Sequence, residues 1–235
     1  MLFPLRDDRN RPGFYPLAVV LLISGNVAVF VYEMTLLYHG GEARLQGFIT
    51  GFGIIPAEAV RGEDLHALLT SMFLHAGVWH LGGNMLFLWI FGDNVEDLLG
   101  GFRFLIFYLI CGLAAAGTDI FMRVHSAVPA IGASGAISGI LGAYIWSFPR
   151  NNVITFYWFW WRIGTLRIPA WIYLGFWFGF QLLSGTSQHG MGGGGVAYGA
   201  HIGGFIAGVL LISFFPKREA AARYYRKRFK KGVNS

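Results

Sequence analysis

The sequence predicts an all-α integral membrane protein, built as a bundle of six transmembrane helices, and three observations support this fold class. Hydrophobic residues make up 55% of the 235 positions and charged residues 13%, about half the charged share of a soluble domain. The apolar residues form continuous runs of about 20 positions, the length that a membrane helix needs. The 34 glycines suit helices that pack closely in lipid. This composition excludes a disordered chain and an ordinary soluble domain.

Each predicted span is an uninterrupted apolar run. The first covers about 15–37 and follows a short polar N-terminal tail, residues 1–14, while the mixed segment 39–66 is interpreted as a long loop. The other five spans cover about 78–95, 104–122, 133–148, 168–183 and 196–215. Because a membrane β-strand would alternate polar and apolar residues, continuous runs indicate helices. The membrane domain is therefore predicted over 15–215, with a basic C-terminal tail over 216–235.

The distribution of Lys and Arg predicts the orientation. With six spans, 15 of the 18 basic residues lie on the side that holds both termini, and 3 lie on the other. Basic loops remain in the cytoplasm, so both termini are predicted to be cytoplasmic. Eight of these residues lie between Lys217 and Lys231, where we expect contact with membrane lipids and no binding of nucleic acid. The compact loops favour a prokaryotic plasma membrane.

Polar side chains within the spans are the candidate functional residues, because a polar group in lipid is costly. They are His80, Asn84, Asp119, Ser134, Ser138, Gln181 and His201. Spans two, four and six run from the outside to the inside, and His80, Ser134 and His201 each follow the start of one of these spans by a few residues. At 1.5 Å per residue, the three side chains should lie on the order of 5–10 Å below the outer surface.

Glycines in spans four and six explain how two of these side chains could meet. Both spans carry the GxxxG spacing that lets helix backbones approach closely, through Gly135, Gly139 and Gly142 and through Gly199, Gly203, Gly204 and Gly208. Close packing would bring the Ser134 hydroxyl within hydrogen-bond distance of His201, and a neighbouring base makes serine a nucleophile. His80, Asn84 and the Ser134 backbone N–H are candidate donors to an oxyanion. No carboxylate is evident as the third member of a catalytic triad, since nothing in the sequence places Asp119 behind His201.

Three stretches closely resemble the rhomboid intramembrane serine proteases: residues 70–97, 132–144 and 196–208. They carry HxxxN, GxSG and AHxxG in the family's order, and the resemblance extends over almost the whole six-helix chain. It implies a dyad of Ser134 as nucleophile and His201 as base, without a carboxylate. It also implies an oxyanion hole of His80, Asn84 and the Ser134 amide, and a rhomboid-like bundle around a water-filled cavity that is open to the outer side.

The resemblance further implies a substrate class and roles for several glycines. The substrates would be transmembrane proteins cut within or next to a membrane helix, with no cofactor or metal. The glycines assigned to the nucleophile turn and to helix packing are Gly132, Gly135, Gly199, Gly204 and Gly208. Some family members carry an aromatic residue where this chain has Ser138, and some have a Trp-Arg pair in the first loop, whereas residues 39–66 contain no Trp. We expect these departures to affect substrate preference and rate rather than the chemistry.

Alternative interpretations stay open beside the protease hypothesis. The chain could be an inactive relative that binds membrane helices, or a small transporter that uses a polar cavity. A zinc site at His66, His75 and His80 is disfavoured because the HExxH spacing is missing.

Three further features have two interpretations each. Asp93, Glu96 and Asp97 are expected to be loop charges that pair with basic residues rather than catalytic carboxylates. The glycine run 190–195 could be a plain connector or a cap that moves to admit substrate. Span five, rich in aromatic residues, could be a lateral gate or a lipid-facing helix.

Overall fold

The computed structural model of the protein describes residues 2–8, 11–159, 161–188 and 197–232. Most of these residues are helical, as predicted. The helices are α1 Leu17–Phe52, α2 Pro56–Ala59, α3 Ala67–Thr70, α4 Val78–Leu99, α5 Gly101–Met122, α6 Ser134–Ser147, α7 Ala170–Gln188, α8 Tyr198–Leu211 and α9 Glu219–Gly232, with a 3-10 turn at Ser71–Phe73. The strands are β1 Leu2–Asp7, β2 Asn152–Phe159 and β3 Arg162–Pro169.

Each of the six apolar runs corresponds to one helix, namely α1, α4, α5, α6, α7 and α8. Within the described residues, α1 and α5 are long and apolar enough to cross a membrane. Ala170–Leu183 of α7 and Tyr198–Leu211 of α8 are shorter apolar helices. The helical character is therefore confirmed, while six membrane crossings stay a prediction.

The predicted loop over 39–66 is wrong in its first part, because α1 continues to Phe52. The helix bends at Gly41, whose φ of 71° is non-helical. Beyond the bend, residues 42–46 are Glu, Ala, Arg, Leu and Gln, which are all good helix formers. Their charges made the segment look like a loop, but charged residues are also typical of an exposed helix.

The all-α prediction is also incomplete, because β1, β2 and β3 form an antiparallel sheet in that order. Strand β1 lies within the predicted N-terminal tail, and the β2–β3 hairpin fills the predicted loop between spans four and five. Strand β2 reads NVITFYWF, and such β-branched and aromatic residues favour strands. Span five is correspondingly shorter, since residues 168 and 169 belong to β3.

Helix α6 lies at the centre of the molecule, and all its residues from Gly135 to Tyr144 are buried. It packs most closely on α8, as the GxxxG spacing predicts. A Cβ atom on Gly204 would overlap the carbonyl oxygen of Gly135, and one on Gly208 would overlap that of Gly139. These contacts need glycine because the two backbones touch directly.

Two acidic residues in the last turns of α4 attach neighbouring segments to the bundle. The Glu96 carboxylate accepts hydrogen bonds from the backbone N–H groups of Ala18 and Val19, at 2.9 and 2.8 Å, and so caps the start of α1. Asp97 accepts from the Arg11 guanidinium at 3.0 Å. Pairing with a basic residue is thus confirmed for Asp97, but both carboxylates are buried in a helix rather than exposed in a loop.

A buried carboxyl group in β1 joins the sheet to the helices. Asp7 accepts hydrogen bonds from Asn94 Nδ2 at 2.6 Å and from the Tyr144 hydroxyl. Burial, reinforced by the negative charge of Asp93, raises the pKa of Asp7 to about 8. At neutral pH the group is therefore mostly protonated, which makes its burial less costly.

Candidate active site

Ser134 is the first residue of α6, and the turn before it requires glycine. Gly132 has φ = 123°, a conformation that other residues rarely adopt. A Cβ atom on Gly132 would lie 2.8 Å from the His80 ring, so the position has no room for a side chain either. The Gly132 N–H donates to the Ser71 carbonyl at 2.8 Å, which fixes the turn and with it the start of the helix.

The close packing of α6 on α8 brings the predicted pair together. His201 lies in the first turn of α8, and its Nε2 atom is 2.7 Å from Ser134 Oγ. The imidazole is buried, with 8% of the residue exposed, while Ser134 is partly exposed. In this arrangement Nε2 can accept the hydroxyl proton, which is the geometry that a general base needs.

A residue to which the sequence assigned no role contacts the other side of the imidazole. Gln181 of α7 places Oε1 at 2.8 Å from His201 Nδ1. Trp177, one turn earlier on the same helix, packs against the His201 ring with centroids 6.0 Å apart. Sequence reasoning marked Gln181 as a polar residue in an apolar span but could not predict its partner, because spacing along the chain does not fix the rotation of α7.

Two further donors converge beside Ser134. His80 Nδ1 accepts a hydrogen bond from the Ala76 N–H at 3.3 Å, which leaves Nε2 to carry the proton. Asn84 Nδ2 is buried and has no hydrogen-bond partner within the described part of the chain. A Cβ atom on Gly132 would lie 2.9 Å from His80 Nε2 and 3.7 Å from Asn84 Nδ2. Both donors therefore point to the same space next to the nucleophile turn.

These groups line one cavity of about 650 Å³. Its polar lining consists chiefly of His80, Asn84, Ser134, Ser138, Gln181 and His201, and apolar residues such as Trp79, Phe87 and Trp177 complete the wall. The volume is typical of a ligand pocket. An apolar wall with a few convergent polar groups suits a short peptide segment with apolar side chains.

Other candidate residues have separate roles in the structure. Asp119 is paired with Arg123, whose Nε donates to its Oδ1 at 3.0 Å. Ser138 Oγ donates to the Ser134 carbonyl at 2.7 Å. His66 Nε2 lies 2.8 Å from the Gly51 carbonyl oxygen. Among the described residues, no three His, Cys, Asp or Glu side chains form a group that could hold a metal ion. The glycine run 190–195 lies outside the described residues.

Comparisons of this chain with a family model and with known proteins all indicate the same family. A model of the rhomboid domain matches residues 62–218, more than half of the chain. The mitochondrial rhomboid protein 1 of Saccharomyces cerevisiae is 31% identical over 166 residues, which cover 68% of this chain and 44% of that protein. The rhomboid protease GluP of Bacillus subtilis is 32% identical over 204 residues, which cover 87% of this chain and 36% of that protein.

The relatives also include a protein that is named inactive. Inactive rhomboid protein 1 of Drosophila melanogaster is 34% identical over 94 residues, which cover 40% of this chain and 6% of the fly protein. This chain spans less than half the length of each of the three relatives. The likeness therefore concerns the shared domain alone.

Proposed function

This chain belongs to the rhomboid family, and from that premise we propose that it is an intramembrane serine endopeptidase. Family membership and the apolar helices indicate an integral membrane protein. The observation that carries the proposal is the 2.7 Å contact between Ser134 Oγ and His201 Nε2, beside two side-chain donors in one cavity. The substrates are membrane proteins, cut within or next to a transmembrane segment.

The dyad performs the reaction in two halves. Ser134 Oγ attacks the scissile carbonyl carbon while its proton passes to His201 Nε2. The tetrahedral intermediate collapses, the C–N bond breaks, and the imidazolium donates the proton to the leaving amine. Water, deprotonated by His201, then attacks the acyl-enzyme, and the proton returns to Ser134 Oγ when the ester bond breaks. No cofactor or metal takes part.

The donors beside Gly132 supply the electrostatic part of the mechanism. In the tetrahedral intermediate the former carbonyl oxygen becomes an oxyanion, and His80 Nε2, Asn84 Nδ2 and the Ser134 N–H stabilise it. The position of Asn84 supports this role, because its amide nitrogen is buried and finds no hydrogen-bond partner among the residues that the structure describes. Each such donor contributes about 3 kcal/mol to transition-state stabilisation.

The proposal includes an orientation. Both termini are cytoplasmic, the cavity opens to the outer side, and the basic C-terminal segment contacts lipid headgroups. A prokaryotic plasma membrane is the proposed location, although relatives include mitochondrial proteins. In this orientation α7 borders the access to the cavity, whose wall includes Trp177 and Gln181 of that helix.

A second candidate is a rhomboid-like factor that binds membrane proteins without cutting them. The likeness to inactive rhomboid protein 1 of the fly favours it. The hydrogen bond between Ser134 and His201 argues against it, since a binding factor needs no ordered proton acceptor next to a serine. His80 and Asn84 line the same cavity.

The test uses the purified protein in lipid vesicles, together with Ser134→Ala and His201→Ala. We expect a fluorophosphonate to label the wild-type protein at Ser134, and a model single-span substrate to be cleaved. Both activities should be lost in both variants. Ser147→Ala, at the other end of α6, is the matched control and should retain both. Full cleavage by Ser134→Ala would refute the proposed mechanism, and an unreactive wild-type protein would favour the binding factor.

A further inference from the structure

We infer that Gln181 is the positioning residue for the catalytic base, in the place that a carboxylate occupies in a Ser-His-Asp triad. The inference rests on the proposed function and concerns a different helix from those that carry the dyad. Its basis is the contact of 2.8 Å between Gln181 Oε1 and His201 Nδ1, opposite the contact of 2.7 Å between His201 Nε2 and Ser134 Oγ.

The two contacts together select one form of the imidazole. A neutral histidine carries one proton, on Nδ1 or on Nε2. The amide oxygen of Gln181 accepts a hydrogen bond, so it favours the proton on Nδ1. This leaves the lone pair of Nε2 directed at Ser134, which is the form that can take the hydroxyl proton. Without the acceptor, the other tautomer becomes accessible, and it cannot act as a base towards serine.

Burial explains why an amide, rather than a carboxylate, is suited to this position beside His201. Gln181 and His201 are each 8% exposed, and a buried carboxylate would cost several kcal/mol in desolvation. A neutral acceptor provides the orienting hydrogen bond without that cost. When the proton moves to Nε2 during catalysis, the same oxygen continues to accept from Nδ1 and partly stabilises the imidazolium.

The acceptor belongs to α7, which has a consequence for regulation. Gln181 and Trp177 lie one turn apart, and both contact the His201 ring. If α7 moves away to admit a substrate, His201 loses its Nδ1 acceptor and its aromatic neighbour at the same time. The acceptor for Nδ1 is therefore in place only while α7 is packed against α8, and the reaction should be slower whenever the two helices separate.

Two substitutions at position 181 test the inference in vesicles. Gln181→Met keeps a similar volume but has no strong acceptor, and we expect kcat to fall about tenfold to a hundredfold with KM within about twofold. The rate of fluorophosphonate labelling, which needs no substrate helix to enter, should fall by the same factor. Phe180→Met is the matched control, because Phe180 is 56% exposed on the same helix, and it should leave both rates unchanged.

Gln181→Glu gives a readout that a purely structural role would not move. The glutamate keeps the acceptor and should retain most of kcat near neutral pH. Its charge stabilises the imidazolium, so the low-pH fall in kcat should move up by about one pH unit or more. This shift can be measured on the labelling rate as well.

The outcomes separate this inference from the proposed function. If Gln181→Met retains both rates and Gln181→Glu leaves the pH profile in place, Gln181 does not position the base, although wild-type cleavage and its loss in Ser134→Ala would still support the protease. A rise in KM with unchanged kcat would also overturn the inference, because it would place Gln181 in substrate entry. A wild-type protein that neither cleaves nor labels would end both proposals.

Discussion

The contact between α6 and α8 sets the distance on which the chemistry depends, and Gly208→Ala tests it two turns away from His201. A Cβ atom at position 208 would lie 2.6 Å from the carbonyl carbon and 2.8 Å from the Cα atom of Gly139. Ordinary contacts of a Cβ atom are 3.4 Å or longer. Because both partners are backbone, no side chain can rotate away, and the helices must separate by about 1 Å.

That separation has two measurable consequences. Overpacking of this kind costs about 1–3 kcal/mol in the free energy of unfolding. It also lengthens the contact of 2.7 Å between Ser134 and His201, and a misplacement of about 1 Å costs about a hundredfold in rate. We therefore expect slow labelling by a fluorophosphonate, slow cleavage in vesicles, and a lower midpoint in a denaturant titration.

Gly117→Ala is the matched control. Gly117 lies in α5, and a Cβ atom there would have no atom within 4 Å. The substitution should keep wild-type rates and stability, since alanine is the better helix former. If Gly208→Ala labels, cleaves and unfolds like the wild-type protein, the reasoning from close backbone packing is wrong.

Two other predictions concern separate parts of the molecule. Asn84→Leu removes an oxyanion donor and should lower kcat about a hundredfold or more with little change in KM, measured as initial rates of cleavage; an unchanged kcat would remove Asn84 from the mechanism. Between pH 4 and 8 the free energy of unfolding should fall with rising pH, by up to about 1.4 kcal/mol per pH unit. The reason is that the folded protein keeps the proton on Asp7, whose pKa is about 8, whereas the unfolded chain has lost it. Asp7→Asn should flatten this slope in denaturant titrations at several pH values, and an unaltered slope would assign it to another group.

The helices could be predicted from the sequence because lipid and close packing both leave strong patterns. Continuous apolar runs identified α4 to α8 to within about five residues at each end, and GxxxG spacing identified the faces of α6 and α8 that meet. The contact between Ser134 and His201 follows from those two patterns together, since each residue lies near the start of its helix.

Elements with weaker patterns escaped prediction. The sheet strands are only six to eight residues long, and β1 pairs with β2, which lies much later in the chain. The bend at Gly41 hid the second part of α1, because the adjacent glycines Gly40 and Gly41 in a mixed segment are equally typical of a loop. Gln181 was visible as an unusual polar residue, but its contact with His201 depends on how α7 is rotated and docked, which local spacing does not encode.

The N-terminal strand β1 pairs with β2, which the ribosome synthesises much later. The carboxyl group of Asp7 and the hydroxyl group of Tyr144, which hydrogen-bond to each other, are 137 residues apart, and the strand that pairs with β1 follows Tyr144 in the chain. At about 5–20 residues per second, a ribosome needs roughly 7 to 27 seconds to bridge that gap. During this time β1 has no strand to pair with, so the first residues remain outside the fold until α6 has been synthesised. Docking of β1 thus comes late in biogenesis, after the helices that carry His80 and Ser134 have been made.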